Sequence, residues 1–313
     1  MDYSAIKLTA PIKDYLWGGR RLITDFGKTT DKEKAAESWE LSTHPDGESI
    51  VADGDFAGMT LSQYIEKNGG TECIGSRAAG FDFFPILIKL IDAKDNLSIQ
   101  VHPDDEYALR VEGEYGKTEM WYIVDCEPDS FLYYGVNREV TKDEFRERIE
   151  NNTLLEILNK VPVKKGDVFF MPSGTIHAIC SGILICEVQQ NSNTTYRVYD
   201  YDRRGADGKP RELHIEKAID VSQLTPSVIE DTKDSNVLAK CEYFTVEKIV
   251  CDGDAEFTVD NGCFRSLTVT DGNGTLTLNG ITTSVTRGET VFIPAQTATV
   301  TLNGDFEAIL AYV

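Results

Sequence analysis

Four residues in three short segments have the types and the spacing of ligands for a metal ion. Gln100 and His102 are two residues apart in a predicted β-strand, so their side chains point to the same face. Glu119 lies in a second predicted strand, and His177 follows a Pro-x-Gly turn at the start of a third. Two imidazoles, one carboxylate and one amide oxygen leave room for water or substrate, as a catalytic zinc requires. We therefore predict one Zn²⁺ per chain.

An anionic substrate at such a site would need positive charge nearby, because the chain as a whole is acidic. Asp and Glu outnumber Lys and Arg by 52 to 31, which gives a net charge of −21. Lys89 lies inside an apolar predicted strand, where a lysine without a partner is costly, and Lys117 shares a strand face with Glu119. Arg197 follows Glu187 by ten residues, so both could lie on or near strands that border the metal. These cations are candidates for binding a phosphate.

The composition indicates a globular protein of a reducing compartment. Hydrophobic residues make up 41% of the chain and charged residues 27%, and the longest apolar runs are too short to span a bilayer. The first residues lack the features of a secretory signal, and seven scattered cysteines give no disulfide framework. We expect a cytoplasmic protein. Its acidity disfavours nucleic acid and membranes as partners.

Most of the chain reads as short β-strands separated by turn signals, the pattern of an antiparallel sandwich or barrel. These strands are rich in β-branched and aromatic residues, as in 84–91, 119–124, 167–171 and 184–188. Helical periodicity is confined to the segments 60–69, 141–158 and 215–221. A capping box of Thr141 and Glu144 is predicted to start the second of these helices.

A weak internal repeat consists of a glycine, five residues and a proline around a predicted strand. The first copy, Gly166–Pro172, leads to His177, whereas the second, Gly288–Pro294, leads to Thr299. We therefore predict two related β-barrels, the second without a metal site. The alternating run 274–278 is expected to cover the first barrel with its apolar side.

The segments that carry the candidate ligands resemble type I mannose-6-phosphate isomerases in their short bacterial form. The likeness covers roughly residues 5 to 220, and the order of its motifs makes it specific. The motifs are Ser-Ile-Gln-Val-His-Pro at 98–103, Lys-Thr-Glu-Met-Trp-Tyr at 117–122, Pro-Ser-Gly-Thr-Ile-His-Ala at 172–178, Leu-Trp-Gly-Gly at 16–19, Glu-Ser-Trp-Glu at 37–40 and Gly-Lys-Pro-Arg-Glu-Leu at 208–213.

The resemblance implies a mainly β fold built on a cupin-type β-barrel, or jelly roll, with zinc bound by the positions of Gln100, His102, Glu119 and His177. We predict a catalytic cupin domain at 1–235, which contains a small helical insertion at about 138–160. A metal-free C-terminal β domain is predicted at 236–313. The expected partner is a small-molecule sugar phosphate, and the expected state is a monomer or a weak homodimer.

The resemblance further implies the interconversion of mannose 6-phosphate and fructose 6-phosphate through an enediol. It gives Arg197 a catalytic role, and zinc and this arginine are expected to stabilise the enediolate oxygens. Glu187 is our first choice as general base, with Lys117 and a zinc-bound hydroxide as rivals. Lys89 and Ser98 are predicted to contact the substrate.

His44 is a further candidate, because an imidazole titrates near neutral pH and is suited to assist ring opening of the sugar. Two alternative functions stay open. The first is an isomerase of another hexose phosphate, since the cations do not identify the sugar. The second is a non-catalytic sugar-binding cupin. A silent cupin would be expected to have lost Arg197 or a zinc ligand, and all are present. The Gln and Glu ligands fit redox-inert zinc better than the iron of a cupin dioxygenase.

Overall fold

The computed structural model describes residues 3–205, 208–229 and 235–313, and in these ranges the chain is mainly β, as predicted. The strands are β1 (Ile6–Thr9), β2 (Ile12–Lys13), β3 (Glu37–Leu41), β4 (Ile50–Val51), β5 (Ile86–Ala93), β6 (Ile99–Val101), β7 (Glu119–Cys126), β8 (Phe131–Val136), β9 (Leu158–Pro162), β10 (Val168–Met171), β11 (His177–Ile179), β12 (Ile183–Gln190), β13 (Tyr196–Tyr199), β14 (Val237–Lys240), β15 (Thr245–Val259), β16 (Arg265–Leu278), β17 (Ile281–Thr286), β18 (Thr290–Ile293) and β19 (Ala298–Tyr312).

The helices are short and connect these strands. They are α1 (Arg21–Thr24), α2 (Leu61–Lys67), α3 (Thr71–Ile74), α4 (Asp105–Val111), α5 (Lys142–Glu150) and α6 (Ile215–Val221), with single 3₁₀ turns at Gly54–Phe56, Ala78–Gly80 and Leu154–Ile157. The three predicted helical segments are therefore present. None of the described helices is long and apolar enough to cross a membrane.

The strands form three antiparallel sheets. A six-stranded sheet has the order β10-β7-β12-β5-β3-β2, and a five-stranded sheet has the order β13-β6-β11-β8-β9. An eight-stranded sheet has the order β14-β15-β19-β16-β18-β1-β4, with β17 paired to β16. The first two sheets carry the strands on which the candidate site was predicted.

Alternation along the strands explains why polar residues of the six-stranded sheet share one face. On β5, Ile88 and Leu90 belong to a large apolar cluster on the outer face, while Lys89 and Ile91 point the other way. The same alternation runs along β7 and β12, whose outer residues join that cluster. One face of this sheet therefore packs against apolar neighbours, and the other supplies the charged residues.

The five-stranded sheet follows the same rule. Ile99 and Val101 on β6 pack into an apolar cluster with α5 and α6, which leaves Gln100 between them on the opposite face. On β13, Tyr196 and Val198 join this cluster, and Arg197 points to the side of Gln100. The helical insertion thus covers the outer face of the sheet that carries these two residues.

The capping box predicted at the start of α5 forms only in part, and a complete capping box forms at α2 instead. Thr141 accepts a hydrogen bond from the Glu144 backbone N–H at 3.1 Å, but the Glu144 carboxylate pairs with Arg138 instead of returning to the cap. The complete capping box forms at α2, where Thr60 and Gln63 bond to each other's backbone. The ion pair with Arg138 thus takes the place of the hydrogen bond that Glu144 would accept from the N-cap backbone N–H.

The two copies of the internal repeat have the same local structure. Gly166 and Gly288 adopt left-handed φ values of 89° and 85°, which glycine reaches without the steric cost of a Cβ. Each glycine precedes a four-residue strand, β10 or β18. Thr299 is exposed on β19, and it pairs with Thr258 of β15.

The N-terminal and C-terminal parts of the chain share a sheet. Strand β1 pairs with β18, so that Ile6 lies opposite Phe292. The predicted boundary near residue 235 adjoins 230–234, which lie outside the described residues. The expectation for 274–278 is wrong, because Leu276 and Leu278 pack in a cluster internal to the C-terminal sheet. The contact with the six-stranded sheet comes instead from residues such as Phe292 and Ile309.

Candidate active site

Three of the four predicted metal ligands meet in one buried cluster. The ligand atoms of His102, Glu119 and His177 all lie within 4.8 Å of one another. His177 Nε2 is 3.2 Å from Glu119 Oε1, and His102 Nε2 is 3.6 Å from Glu119 Oε2. The side chains are at most 1% exposed. Such an arrangement of two imidazoles around a carboxylate is suited to a divalent cation.

Gln100 reaches the same cluster through strand pairing. It lies directly opposite His177 in the pairing of β6 with β11, and its Nε2 atom is 3.5 Å from His177 Nε2. The oxygen and nitrogen of a side-chain amide are nearly interchangeable in shape. Rotation of the amide by half a turn would therefore present the oxygen to a cation shared with His177.

Backbone carbonyls fix the orientation of both imidazoles. His102 Nδ1 lies 2.9 Å from the Thr194 carbonyl oxygen, and His177 Nδ1 lies 2.8 Å from the Thr175 carbonyl oxygen. Because a carbonyl only accepts, both Nδ1 atoms carry the proton, and each Nε2 lone pair faces Glu119. His102 Nε2 has no hydrogen-bond partner among the described residues.

Burial keeps both imidazoles of the cluster neutral, which is the form that binds a cation. It lowers the pKa of His177 to about 4 and the pKa of His102 well below its usual value, with a further contribution from Lys117. Both imidazoles are therefore neutral. Burial also raises the pKa of Glu119 to about 7 despite the opposing charge of Lys117. A bound cation would favour the ionised carboxylate and relieve this cost.

A polar cavity of about 260 Å³ adjoins the cluster. Its wall includes six of the predicted site residues, which are Lys89, Ser98, Gln100, Lys117, Glu187 and Arg197. Gln100 belongs to both the cavity wall and the cluster, so a molecule in the cavity would lie beside a bound metal.

Two buried ion pairs lie at the cavity wall, and one of them reaches the cluster. Lys89 Nζ is 3.1 Å from Glu187 Oε1, and the two residues are directly opposite in the pairing of β5 with β12. Lys117 Nζ is 3.2 Å from Glu119 Oε2. The Trp121 indole N–H donates to Glu187 Oε2 at 2.8 Å. The Glu187 carboxylate is therefore held in place by one ion pair and one hydrogen bond.

These neighbours decide the charge of Glu187 and Lys89. Burial alone would raise the pKa of Glu187, but Lys89 and Lys117 outweigh it and lower the pKa. Burial would likewise lower the pKa of Lys89, but Glu187 and Glu37 outweigh it and raise the pKa. Glu187 is thus an anion and Lys89 a cation at neutral pH.

Arg197 lies directly opposite Gln100 in the pairing of β13 with β6. Its Nη1 atom donates to the Glu212 carbonyl at 2.9 Å, while its Nε atom is buried with no hydrogen-bond partner in the part of the chain that the structure describes. A guanidinium with an unused donor, on the strand next to Gln100, is available to a ligand.

Comparisons with known proteins assign the family. Residues 5–152 match the family model described as phosphomannose isomerase type I, catalytic domain, and residues 234–313 match mannose-6-phosphate isomerase, cupin domain. The chain is 40% identical to a mannose-6-phosphate isomerase of Bacillus subtilis over 96% of both chains. It is 37% identical to that of Streptococcus mutans over 95% of this chain and 94% of the relative. The chain belongs to the type I phosphomannose isomerases.

Solved structures agree with this assignment. The mannose 6-phosphate isomerase from Bacillus subtilis aligns with a TM-score of 0.89 at 37% identity, covering 99% of this chain and 100% of that one. The apo form of the enzyme from Salmonella typhimurium aligns with a TM-score of 0.79 at 18% identity over 99% of both chains, which shows a shared fold. The predicted cupin fold is confirmed, and the likeness extends past residue 220 to the C-terminus.

His44 is the one predicted site residue that belongs neither to the His-Glu-His cluster nor to the wall of the adjoining cavity. It packs edge-on against Trp39 at 5.8 Å between ring centroids, and Lys89 Nζ lies 5.4 Å from the centroid of the same ring. Its Nδ1 accepts from the Asp46 backbone N–H at 3.1 Å. His44 lines a separate cavity of about 650 Å³, so any contact with a ligand in the smaller cavity would be indirect.

The cavity wall also contains residues that were not predicted as site residues. Among them are Tyr15, Glu37, Asn193 and Arg211. Glu37 and Arg211 belong to sequence motifs that the phosphomannose isomerases share, and this was the signal that could have found them. Tyr15 and Asn193 lie in segments without a clear pattern.

Proposed function

We propose that this chain is a zinc-dependent isomerase that interconverts mannose 6-phosphate and fructose 6-phosphate through an enediol. The observation that carries the proposal is the contact between a buried His-Glu-His cluster and a cavity whose wall contains two buried lysines, a buried glutamate and an arginine. The names of relatives at 37 to 40% identity support the choice of substrate.

Gln100, His102, Glu119 and His177 would hold one zinc ion. When bound, zinc acts as a Lewis acid that polarises the substrate oxygens at C1 and C2. The donor set fits such an ion because both imidazoles are neutral, their Nε2 lone pairs face a carboxylate, and His102 Nε2 has no other partner among the described residues.

Glu187 acts as the general base in this scheme. Its ionised carboxylate removes the proton from C2 of the aldose and returns it to C1, while the hydroxyl proton moves from O2 to O1. The pairs with Lys89 and Trp121 hold the carboxylate against the cavity. Lys117 is placed to donate to the substrate oxygens, and it stays a rival for the role of base. Ser98 and Lys89 contact the substrate from the same wall.

Arg197 stabilises the enediolate oxygens, since it lies opposite Gln100 and has a buried donor without a partner among the described residues. His44 assists ring opening only through other residues. One connection runs through Asp46, whose Oδ2 is 3.7 Å from His44 Nδ1 and accepts a hydrogen bond from Asn193 of the cavity wall at 2.6 Å.

A coupled assay with mannose 6-phosphate, run beside metal analysis of the purified protein, tests the proposal. We expect turnover, about one zinc per chain, loss of activity in a chelator and recovery when zinc is added back. Glucose 6-phosphate serves as the matched substrate, because it differs only at C2. Preferred turnover of another hexose phosphate would support the first alternative function. Binding of mannose 6-phosphate without turnover by the zinc-loaded protein would contradict an enzymatic role.

A further inference from the structure

One wall of the cavity contains Arg211, which shares a single carboxylate with a second arginine. Arg211 makes two parallel bonds to Asp200, from Nε to Oδ2 at 2.7 Å and from Nη2 to Oδ1 at 2.6 Å. Arg203 also pairs with Asp200, although it does not line the cavity. The Asp200 side chain is only 6% exposed. This geometry holds the Arg211 guanidinium in a fixed plane against the cavity.

Positive charge is only partly compensated at this wall, whereas each cavity lysine has a buried glutamate of its own. Lys89 and Lys117 each lie within 3.2 Å of a buried glutamate. Asp200, by contrast, is shared by two guanidiniums, and the hydrogen bond of the Arg197 guanidinium goes to a neutral carbonyl. Burial lowers the pKa of Arg197, and repulsion from Arg211 adds to this effect. In a chain of net charge −21, such a local excess of cations is suited to a dianion.

The order of the side chains along the cavity gives the direction in which a substrate would lie. Arg197 is opposite Gln100 of the metal cluster, and its guanidinium bonds to the carbonyl of Glu212, the residue next to Arg211. Arg197 therefore connects the metal end with the Arg211 end. A hexose phosphate whose C1 and C2 lie at the metal end would place its phosphate at the other.

We propose that Arg211 binds the phosphate group of the substrate and that Asp200 is the positioning residue that holds it there. The inference rests on the proposed function and extends it, because it assigns the phosphate to a residue outside the predicted site. Arg197 then serves the reacting carbons, while Arg211 serves recognition.

Steady-state kinetics of the zinc-loaded full chain with mannose 6-phosphate test the proposal. In Arg211→Gln we expect KM to rise by about 10- to 100-fold, the effect of losing a charge-assisted hydrogen bond, with kcat changed less than about threefold. Competitive inhibition by inorganic phosphate should weaken in parallel. Arg203→Gln is the matched control, because it removes an arginine from the same aspartate but not from the cavity wall, and its KM should stay within about threefold of the wild type.

Asp200→Asn separates positioning from charge. The variant keeps the Arg211 cation but loses the fork that orients it, so KM should rise about 3- to 10-fold with zinc content unchanged. Arg211→Lys, which retains the charge, should restore part of the phosphate affinity lost in Arg211→Gln. Unchanged KM and unchanged phosphate inhibition in a folded Arg211→Gln variant would overturn the proposal, as would a loss confined to kcat.

Direct calorimetric titration with inorganic phosphate distinguishes this inference from the proposed function. Suppose that the wild type does not turn over mannose 6-phosphate but binds phosphate, and that Arg211→Gln abolishes the binding. The phosphate site then stands and the isomerase proposal fails. If the wild type isomerises mannose 6-phosphate and Arg211→Gln binds phosphate as well as the wild type does, the inference alone is wrong.

Discussion

Replacing Lys89 by methionine should destabilise the fold far more than the loss of an exposed ion pair. Lys89 and Glu187 lie 3.1 Å apart, and both side chains are 4% exposed. Methionine has nearly the volume of lysine, so the change mainly removes the charge. Breaking a buried pair leaves an uncompensated charge and costs about 3–5 kcal/mol. The Trp121 hydrogen bond to Glu187 persists, so we expect the free energy of unfolding to fall by about 3 kcal/mol.

Chemical denaturation of the metal-free protein in a chelator measures this loss without a contribution from metal binding. The matched control is Lys32→Met, because Lys32 makes a 3.0 Å pair with Asp14 in which the side chains are 38% and 57% exposed. Its removal should cost less than about 1 kcal/mol. The double variant Lys89→Met with Glu187→Gln should recover at least about 2 kcal/mol relative to the sum of the single changes.

The pH dependence of the Lys89→Met effect has a defined sign. In the wild type the pKa of Glu187 is lowered by Lys89 and Lys117 against the effect of burial. Its carboxylate therefore contributes stability above the unfolded-state pKa, which is lost as pH falls through the folded-state pKa. Without Lys89 the burial effect is less opposed, so the variant loses less stability on acidification. The deficit should be largest near neutral pH and shrink toward about pH 5. A loss below about 1 kcal/mol, or one that grows on acidification, would refute this reasoning.

Three further outcomes test the remaining assignments. His102→Ala and His177→Ala should each abolish stoichiometric zinc, measured by elemental analysis, because each removes one of four ligands; full zinc retention would contradict the ligand set. Arg197→Lys should keep the fold and the zinc but lose most of kcat, since lysine lacks the planar fork; wild-type turnover would make the residue merely electrostatic. Thr299→Ala should leave turnover and zinc content unchanged, because Thr299 is exposed on β19; a selective loss of turnover would place the C-terminal sheet in the reaction.

The inward positions of the His-Glu-His cluster were predictable because strand alternation and motif spacing are local properties of the sequence. Gln100, which points inward between two apolar neighbours, and His177, which begins β11, lie where the pattern indicated. The pairing of His177 with Gln100 was not predictable. It depends on the register between strands that are far apart in the chain, and register is set by tertiary packing.

Other features had no local signal. Strand β1 joins a sheet whose remaining partners, apart from β4, lie beyond residue 236, and a four-residue strand carries no mark of such a distant partner. Arg211 lies outside regular structure, where no periodicity indicates the direction of a side chain. His44 was selected for its chemistry, but its burial behind Trp39 depends on packing that composition does not reveal.

The C-terminal sheet supports the site by packing against the outer face of the six-stranded sheet. The strands that carry Lys89, Glu119 and Glu187 have their apolar residues on the opposite face. There Leu90, Tyr122 and Val188 are buried in one cluster with Phe292 and Ile309. Because alternate residues of a strand point to opposite faces, fixing the apolar side also fixes the charged side. The ladder hydrogen bonds of β5, β12 and β7 set the spacing of these strands, and the C-terminal sheet fixes the face that they turn to the cavity. The preorganised charges then need little rearrangement when a substrate enters.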